Sequence, residues 1–261
     1  MGEKMNRPGG KLASRPLHFF WIVDCSGSMS GEKIGTVNHA IQSVIPEMLD
    51  AAEDNPNAQL MIRALRFATG ASWMTEESIP IEDFVWDDLV ANGVTDLGEA
   101  LNLVCEQLSM PPMSERALPP VLVLLSDGHP TDNYKAALDR LLHMPWGRKS
   151  VRIAISIGSD ADDNILAEFT GTKELVLQAN DAASLTKMIK WASTAASVVS
   201  APVSRPVVQQ SPEISVKKEK SYNPIVAELN DLLPFDNADN DGPLVIDMVN
   251  IPNPDDDGDV W

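Results

Sequence analysis

The segment 17–29, whose sequence is LHFFWIVDCSGSM, places the strongest constraint on the fold. Residues 17–23 form a mainly apolar, aromatic and β-branched run, which is typical of a strand buried on both faces. Asp24 ends this run, and a polar turn that contains Gly27 follows at once. The pattern predicts a buried strand that ends in a loop, and functional side chains commonly lie on such loops.

Three oxygen-bearing side chains alternate along this loop: Asp24, Ser26 and Ser28. Residues two apart in an extended segment point to the same side, so one carboxylate and two hydroxyls can face a common point. Oxygen ligands suit a hard cation such as Mg²⁺, which keeps some of its water. A Ser- and Gly-rich turn is also what an ordinary strand-to-helix loop contains, so this motif by itself leaves both interpretations open.

Two later segments favour the metal site. Residues 93–98, with the sequence GVTDLG, open a helix and offer a third hydroxyl at Thr95. A second apolar strand, residues 121–125, is followed by Ser126 and Asp127. The carboxyl ends of parallel strands meet at one crevice, so we expect Thr95 and Asp127 to lie beside the first loop.

Strands and helices alternate along the chain. Apolar strand segments at 17–23, 121–125 and 150–157 are separated by stretches with helical spacing of apolar residues. This alternation predicts an α/β fold with a doubly wound, mostly parallel sheet and helices on both faces. A hairpin around Gly70 predicts one antiparallel strand at the sheet edge. Asp132 is expected to cap the helix that follows it.

The five residues Asp24, Ser26, Ser28, Thr95 and Asp127 resemble the metal-ion-dependent adhesion site of von Willebrand factor A domains, a DxSxS motif followed by a Thr and an Asp. The resemblance covers residues 16–200. It implies that the three hydroxyls bind Mg²⁺ or Mn²⁺, while the two carboxylates act mainly through bound water or outside the direct ligand set. Neutral ligands leave the charge of a cation poorly neutralised, so its open position can attract a carboxylate from a partner.

The charge balance and the cysteine content exclude several classes of function. The chain has 20 basic and 38 acidic residues, which argues against nucleic acid or an anionic membrane as a partner. No apolar run approaches the ~20 residues that span a bilayer. Cys25 and Cys105 are expected to be small buried hydrophobes. No signal-peptide core follows the basic residues of 1–15, so we expect a cytoplasmic protein.

The predicted organisation has three parts: a flexible segment at 1–15, the A domain at 16–200, and a Pro-containing linker with an acidic tail at 201–261. Residues 221–261 include ten acids and no Lys or Arg. Such a segment cannot bury enough apolar surface to offset its chain entropy, so we expect it to be disordered alone. Its short apolar islands indicate anchors for a partner protein.

Candidate partner contacts lie in two places. His129, two residues after Asp127, could reach a bound partner, and the alternative is an ordinary loop histidine before Pro130. The tail supplies further candidates: Asp255, Asp256, Asp257, Asp259 and Trp261. Its acids could instead occupy the metal site of their own or a neighbouring copy, or only keep the tail solvated.

An enzyme is disfavoured, and no catalytic residue is expected. A Mg²⁺-dependent phosphohydrolase of the haloacid dehalogenase type also has an Asp after its first strand, but it needs a second Asp two residues later as general acid. Ser26 stands at that place and cannot perform that proton transfer near neutral pH. We therefore interpret the site as a binder.

Longer segments resemble the TerY-like bacterial A domains: LHFFWIVDCSGSMSGEKI, NGVTDLGEAL and VLVLLSDGHPTD. This resemblance implies a scaffold in a tellurite-resistance or stress system, with a protein kinase and a metal-dependent Ser/Thr phosphatase as partners. Some relatives carry a cysteine-rich extension where this chain has an acidic tail, which leaves the partner open. The alternative is an accessory subunit of a hexameric ATPase chaperone.

Overall fold

The computed structural model describes residues 14–55 and 58–200. Within these residues, seven strands form one sheet, and six α-helices surround it. The strands are β1 Arg15–Asp24, β2 Ala58–Ala68, β3 Gly70–Trp73, β4 Ile79–Pro80, β5 Val121–Ser126, β6 Val151–Ile157 and β7 Val176–Ala179. The helices are α1 Glu32–Glu53, α2 Leu97–Gln107, α3 Tyr134–His143, α4 Pro145–Lys149, α5 Asp163–Thr170 and α6 Ala182–Ser200.

The sheet is mostly parallel, as predicted. Its order is β3-β2-β1-β5-β6-β7, and β4 pairs with β2 beside β3. Five strands of this sheet run parallel to one another: β2, β1, β5, β6 and β7. Both β3 and β4 are antiparallel to β2, so the predicted antiparallel edge is divided into two short strands. The hairpin turns at Gly70, whose φ of 78° suits glycine.

The central strand β1 contributes to two separate cores. Phe19, Trp21 and Val23 pack on the face covered by α1 and α6. Phe20 and Ile22 pack on the opposite face, against α2, α3 and α5. Every residue of β1 from Leu17 onward is buried, because helices cover both faces of the sheet. This packing places the end of β1 in the middle of the carboxyl edge.

Asp132 caps a different helix from the one predicted. Its two carboxylate oxygens accept hydrogen bonds from the backbone N–H groups of Gly98 (2.9 Å) and Glu99 (3.1 Å), in the first turn of α2. The helix that follows it, α3, has no side-chain cap. The backbone N–H of Thr131 donates to the carbonyl of Thr95, which brings the two loops together. The prediction was wrong because this tertiary contact offers Asp132 the free N–H groups of a neighbouring helix.

Two further expectations can be compared with the structure. Both cysteines are buried and unpaired, as predicted. None of the helices within 14–55 and 58–200 is long and apolar enough to cross a membrane. Residues 1–13 of the predicted N-terminal segment, and the linker and tail from 201 to 261 with the candidate contacts from Asp255 to Trp261, lie outside the described residues. The last residue of the predicted flexible segment, Arg15, is instead the first residue of β1.

Because His18 is buried, we expect the folded state to lose stability at acidic pH. Its ring stacks on Phe20, and burial lowers its pKa from 6.5 to about 4. Below pH 6.5 the unfolded chain therefore binds a proton that the folded chain does not. We expect the free energy of unfolding to fall by up to about 3 kcal/mol as the pH drops from 6.5 towards 4, beyond the loss due to carboxylates.

Urea unfolding across this pH range measures the effect. The variant His18→Gln, which lacks the titrating ring, should lose less stability on acidification than the wild type. The matched control is His39→Gln on the exposed face of α1, which should follow the wild type. Parallel pH profiles for all three proteins would contradict the prediction.

Candidate metal centre

The loop after β1 brings two predicted hydroxyls together. The backbone N–H of Ser26 donates to Asp24 Oδ1 at 2.8 Å, which turns the chain at the end of the strand. A single 3-10 turn, Gly27–Met29, follows. The hydroxyl oxygens of Ser26 and Ser28 then lie 3.0 Å apart. The two hydroxyls thus lie side by side, as expected for the predicted ligands, but a 3-10 turn and not the predicted extended segment brings them together.

Asp24 is fully buried and engaged through both of its carboxylate oxygens. Oδ1 accepts the N–H of Ser26, and Oδ2 accepts the hydroxyl of Ser126 at 2.6 Å. Burial raises the pKa of Asp24, and the hydrogen bonds from Ser126 and Ser26 oppose this rise. Because Ser126 is the last residue of β5, this carboxylate joins the ends of the two central strands. Its engagement agrees with a role outside the direct ligand set.

The loop that carries Thr95 is attached to the first loop by its backbone. The N–H of Gly27 donates to the carbonyl of Gly93 at 2.9 Å, and the N–H of Asn92 donates to the carbonyl of Cys25 at 2.7 Å. Thr95 follows two residues after Gly93 and is buried. Thr95, Ser26 and Ser28 thus lie on hydrogen-bonded loops at one edge of the sheet.

The carboxylate of Asp127 is the group whose surroundings indicate a cation site most clearly. It is fully buried, and neither of its carboxylate oxygens has a hydrogen-bond donor among the described residues. In that part of the chain, Trp21 Nε1 is the other buried side-chain atom without a partner. The ammonium of Lys33 lies 3.6 Å from Asp127 Oδ2, close enough for charge interaction but too far for a hydrogen bond. A buried carboxylate without donors is costly, so its environment fits a residue that faces a cation or its water.

The donor set suits a hard divalent cation. The site offers hydroxyl and carboxylate oxygens and no imidazole or thiolate ligand from the predicted residues. No group of three or more His, Cys, Asp or Glu gathers into a metal cluster within 14–55 and 58–200. Hydroxyl and carboxylate ligands favour Mg²⁺ or Mn²⁺, and the unpartnered oxygens of Asp127 fit such a cation.

His129 lies on the exposed rim of this edge. Its Nε2 is 2.9 Å from the carbonyl oxygen of Asp160, and Lys33 Nζ is 3.1 Å from the Asp160 carboxylate. The proposed contact of His129 with a partner stays a prediction.

Sequence reasoning missed Ser126, Lys33 and Asp160 as neighbours of the site. Ser126 had a signal, since it directly precedes Asp127, whereas Lys33 has the sequence environment of an ordinary helix-surface lysine.

The sequence model of the von Willebrand factor type A domain matches residues 20–191. The chain belongs to this family. Domains of the family generally mediate protein interactions rather than catalysis. No curated protein matches the chain.

Several solved structures share the fold. The ArnB paralog VWA2 from Sulfolobus acidocaldarius aligns with a TM-score of 0.51 and 20% identity over 68% of this chain and 45% of its own. Proximal thread matrix protein 1 from the mussel byssus, in a form with a zinc-occupied metal-ion-dependent adhesion site, gives 0.52 and 17% over 69% and 47%. The pilus adhesin SpaC from Lactobacillus rhamnosus GG gives 0.56 and 12% over 71% and 30%. The chain thus spans less than half the length of these proteins.

Because Asp127 has no hydrogen-bond donor among the described residues, we expect its substitution by Asn to affect the melting temperature differently with and without metal. Asp127→Asn removes a buried charge, so the metal-free variant should melt no lower than the metal-free wild type. Saturating Mg²⁺, at about 100 times its Kd, should raise the wild-type melting temperature by roughly 5–10 °C and leave the variant nearly unchanged. Thermal scans with chelator and with Mg²⁺ measure both effects. If Asp127→Asn melts below the wild type without metal and still shows the full Mg²⁺-induced rise in melting temperature, the assignment of Asp127 to the metal site is wrong.

A side chain at Gly93 would disturb the contact between the loop that carries Thr95 and the loop after β1. Its φ is 86°, and a Cβ there would lie 2.4 Å from Thr69 Oγ1. We expect Gly93→Ala to cost about 2 kcal/mol of stability and to weaken metal binding, because the Gly93 carbonyl holds Gly27. The control Gly35→Ala in α1, whose Cβ meets no atom within 4 Å, should instead stabilise by about 0.5–1 kcal/mol. Urea unfolding and Mg²⁺ titration of both variants test this, and equal effects would refute it.

Proposed function

We propose that this domain is a metal-dependent protein–protein interaction module that binds a carboxylate of a partner protein through Mg²⁺ or Mn²⁺. The observation that carries the proposal is the buried, unpartnered carboxylate of Asp127 at the same edge as the paired hydroxyls of Ser26 and Ser28. Ser26, Ser28 and Thr95 would hold the cation. Asp24 and Asp127 would act through water or through hydrogen bonds to the ligands.

The chemistry of the ligands supports binding of an acid. Hydroxyls are neutral, so a bound cation keeps most of its charge for an external carboxylate. Without a cation, the carboxylates of Asp24 and Asp127 are both buried at the same edge, and the whole chain carries a formal charge of −18. An acidic partner is then repelled rather than attracted. Partner binding should therefore depend strictly on the metal.

The residue types support binding rather than catalysis. Ser26 has a hydroxyl at the position where a phosphohydrolase of the haloacid dehalogenase type requires a carboxylic acid. The hydroxyl of Ser26 lies against that of Ser28, as expected for two ligands of one cation. Both features favour a site that holds an ion and a partner group without transferring a proton.

We extend the proposal to the partner and its setting. The segments 17–34, 92–101 and 121–132, which resemble TerY-like A domains, support a cytoplasmic scaffold in a bacterial tellurite-resistance or stress system. The partner would be a protein kinase, a metal-dependent Ser/Thr phosphatase or both. His129 and the acidic tail residues from Asp255 to Trp261 would add contacts. The alternative remains an accessory subunit of a hexameric ATPase chaperone.

An affinity pull-down from the native host tests the proposal. The baits are the wild type, the isosteric variant Thr95→Val, which loses only the ligand hydroxyl, and a protein that ends at Ser200. Each bait is used with Mg²⁺ and with a chelator. We expect the wild type with Mg²⁺ to retain a kinase or phosphatase, and we expect at least tenfold less with Thr95→Val or with chelator.

Controls separate loss of the metal from loss of the fold. Asp139→Ala removes an exposed carboxylate of α3 and should retain the partner, while circular dichroism checks that Thr95→Val is folded. If the partner is lost only when the tail is removed, the tail is the binding element and the metal-site proposal is wrong. Capture of an ATPase ring in place of a kinase or phosphatase would favour the alternative.

A further inference from the structure

Lys33 reaches from α1 into the proposed metal site. Its Nζ lies 3.6 Å from Asp127 Oδ2 and 3.1 Å from Asp160 Oδ1, and 24% of its side chain is exposed. Lys33 is the second residue of α1, so its charge lies near the positive end of the helix dipole. The helix itself therefore disfavours a cation here. The two carboxylates account for the position of the ammonium.

Gly158, at the end of β6, leaves room for the Lys33 side chain. A Cβ at this glycine would lie 2.8 Å from Lys33 Cε and 3.1 Å from Lys33 Nζ. The loop beyond it carries Asp160, whose carbonyl oxygen also contacts the ring of His129 at 2.9 Å. Lys33 is thus directed across the end of β6 towards Asp127 and held there by a charged partner.

The ammonium and a divalent cation would neutralise the same buried carboxylate. In the metal-free domain, Lys33 offsets part of the charge of Asp127, which has no hydrogen-bond donor among the described residues. A cation that binds near Asp127 would meet another positive charge at close range. Like charges at such distances repel appreciably even when solvent partly screens them.

We propose that Lys33 is an internal counter-ion for Asp127 that competes with the divalent cation. This inference rests on the proposed metal-dependent binding function. Lys33 stabilises the metal-free domain and lowers its affinity for metal. A partner carboxylate adds negative charge beside Lys33 and offsets the repulsion, so metal and partner bind more tightly together than separately.

Calorimetric titration of the full-length chain with MgCl₂ and MnCl₂ tests the proposal. Lys33→Met removes the charge and keeps most of the side-chain length. We expect this variant to bind metal about tenfold more tightly than the wild type, and to melt at a lower temperature in chelator. The control Lys190→Met removes an equal charge from an exposed ion pair with Glu47 and should match the wild type.

Further variants guard against a folding defect. Lys33→Gln should behave like Lys33→Met, whereas Lys33→Arg keeps the positive charge and should bind metal like the wild type. In an Asp127→Asn background, Lys33→Met should no longer lower the metal-free melting temperature, because the carboxylate that it serves is gone. A decrease of the same size in that background would overturn the proposal.

The outcomes distinguish this inference from the proposed function. If the wild type binds metal and Lys33→Met binds it equally or more weakly, the inference is wrong and the metal site stands. If neither protein binds metal or shifts its melting temperature, the proposed function and the inference both fail. Metal binding by Lys33→Met alone would support the competition in its strongest form.

Discussion

The parallel pairing of β1 with β2 and β5 is the constraint on which the rest of the structure depends. The register places Asp24 opposite Phe67 and Val23 opposite Leu125, so the two central strands end side by side. The hydrogen bond from Ser126 to Asp24 follows from this alignment. Both faces of β1 are buried, and its neighbours β2 and β5 pair with it along its length, so packing and backbone hydrogen bonds both hold the strand ends in place. The candidate site thus lies at the end of a strand that is buried on both faces, and such a position favours a fixed arrangement of ligands.

Two buried carboxylates at one sheet edge create an electrostatic cost that the structure meets in two ways. Burial raises the pKa of Asp24, and the hydrogen bonds that it accepts from Ser126 and Ser26 counter only part of this rise. Asp127 receives no hydrogen bond from the described residues, and the ammonium of the partly exposed Lys33 lies 3.6 Å from its Oδ2. The first carboxylate therefore organises the loops, while the oxygens of the second are not used in hydrogen bonds with the described residues. This division of roles is what a reversible cation site requires.

The sequence could predict the features that depend on local pattern. The spacing of apolar residues over short segments indicates the buried strand before Asp24 and the alternation of strands with helices. The fold class follows from these two features. The candidate ligands could be identified because they follow strands or open a helix. Sequence could not predict that Asp132 caps α2 or that Lys33 reaches Asp127, because these contacts join distant parts of the chain. Such contacts follow from packing, which no local period records.

The acidic chain and the proposed binding of a partner carboxylate together constrain how recognition would work. The formal charge of −18 opposes the approach of an acidic partner, but at physiological ionic strength this repulsion fades over roughly 8 Å. Attraction would therefore arise only close to the surface, where a bound cation would present its uncompensated charge. Since Gly93 and Asn92 fasten the Thr95 loop to the first loop through the backbone, little ordering is needed when the ion binds. In the proposed function, the state of the site would then depend mainly on the balance of charge around Asp127, to which the cation, Lys33 and the partner carboxylate would all contribute.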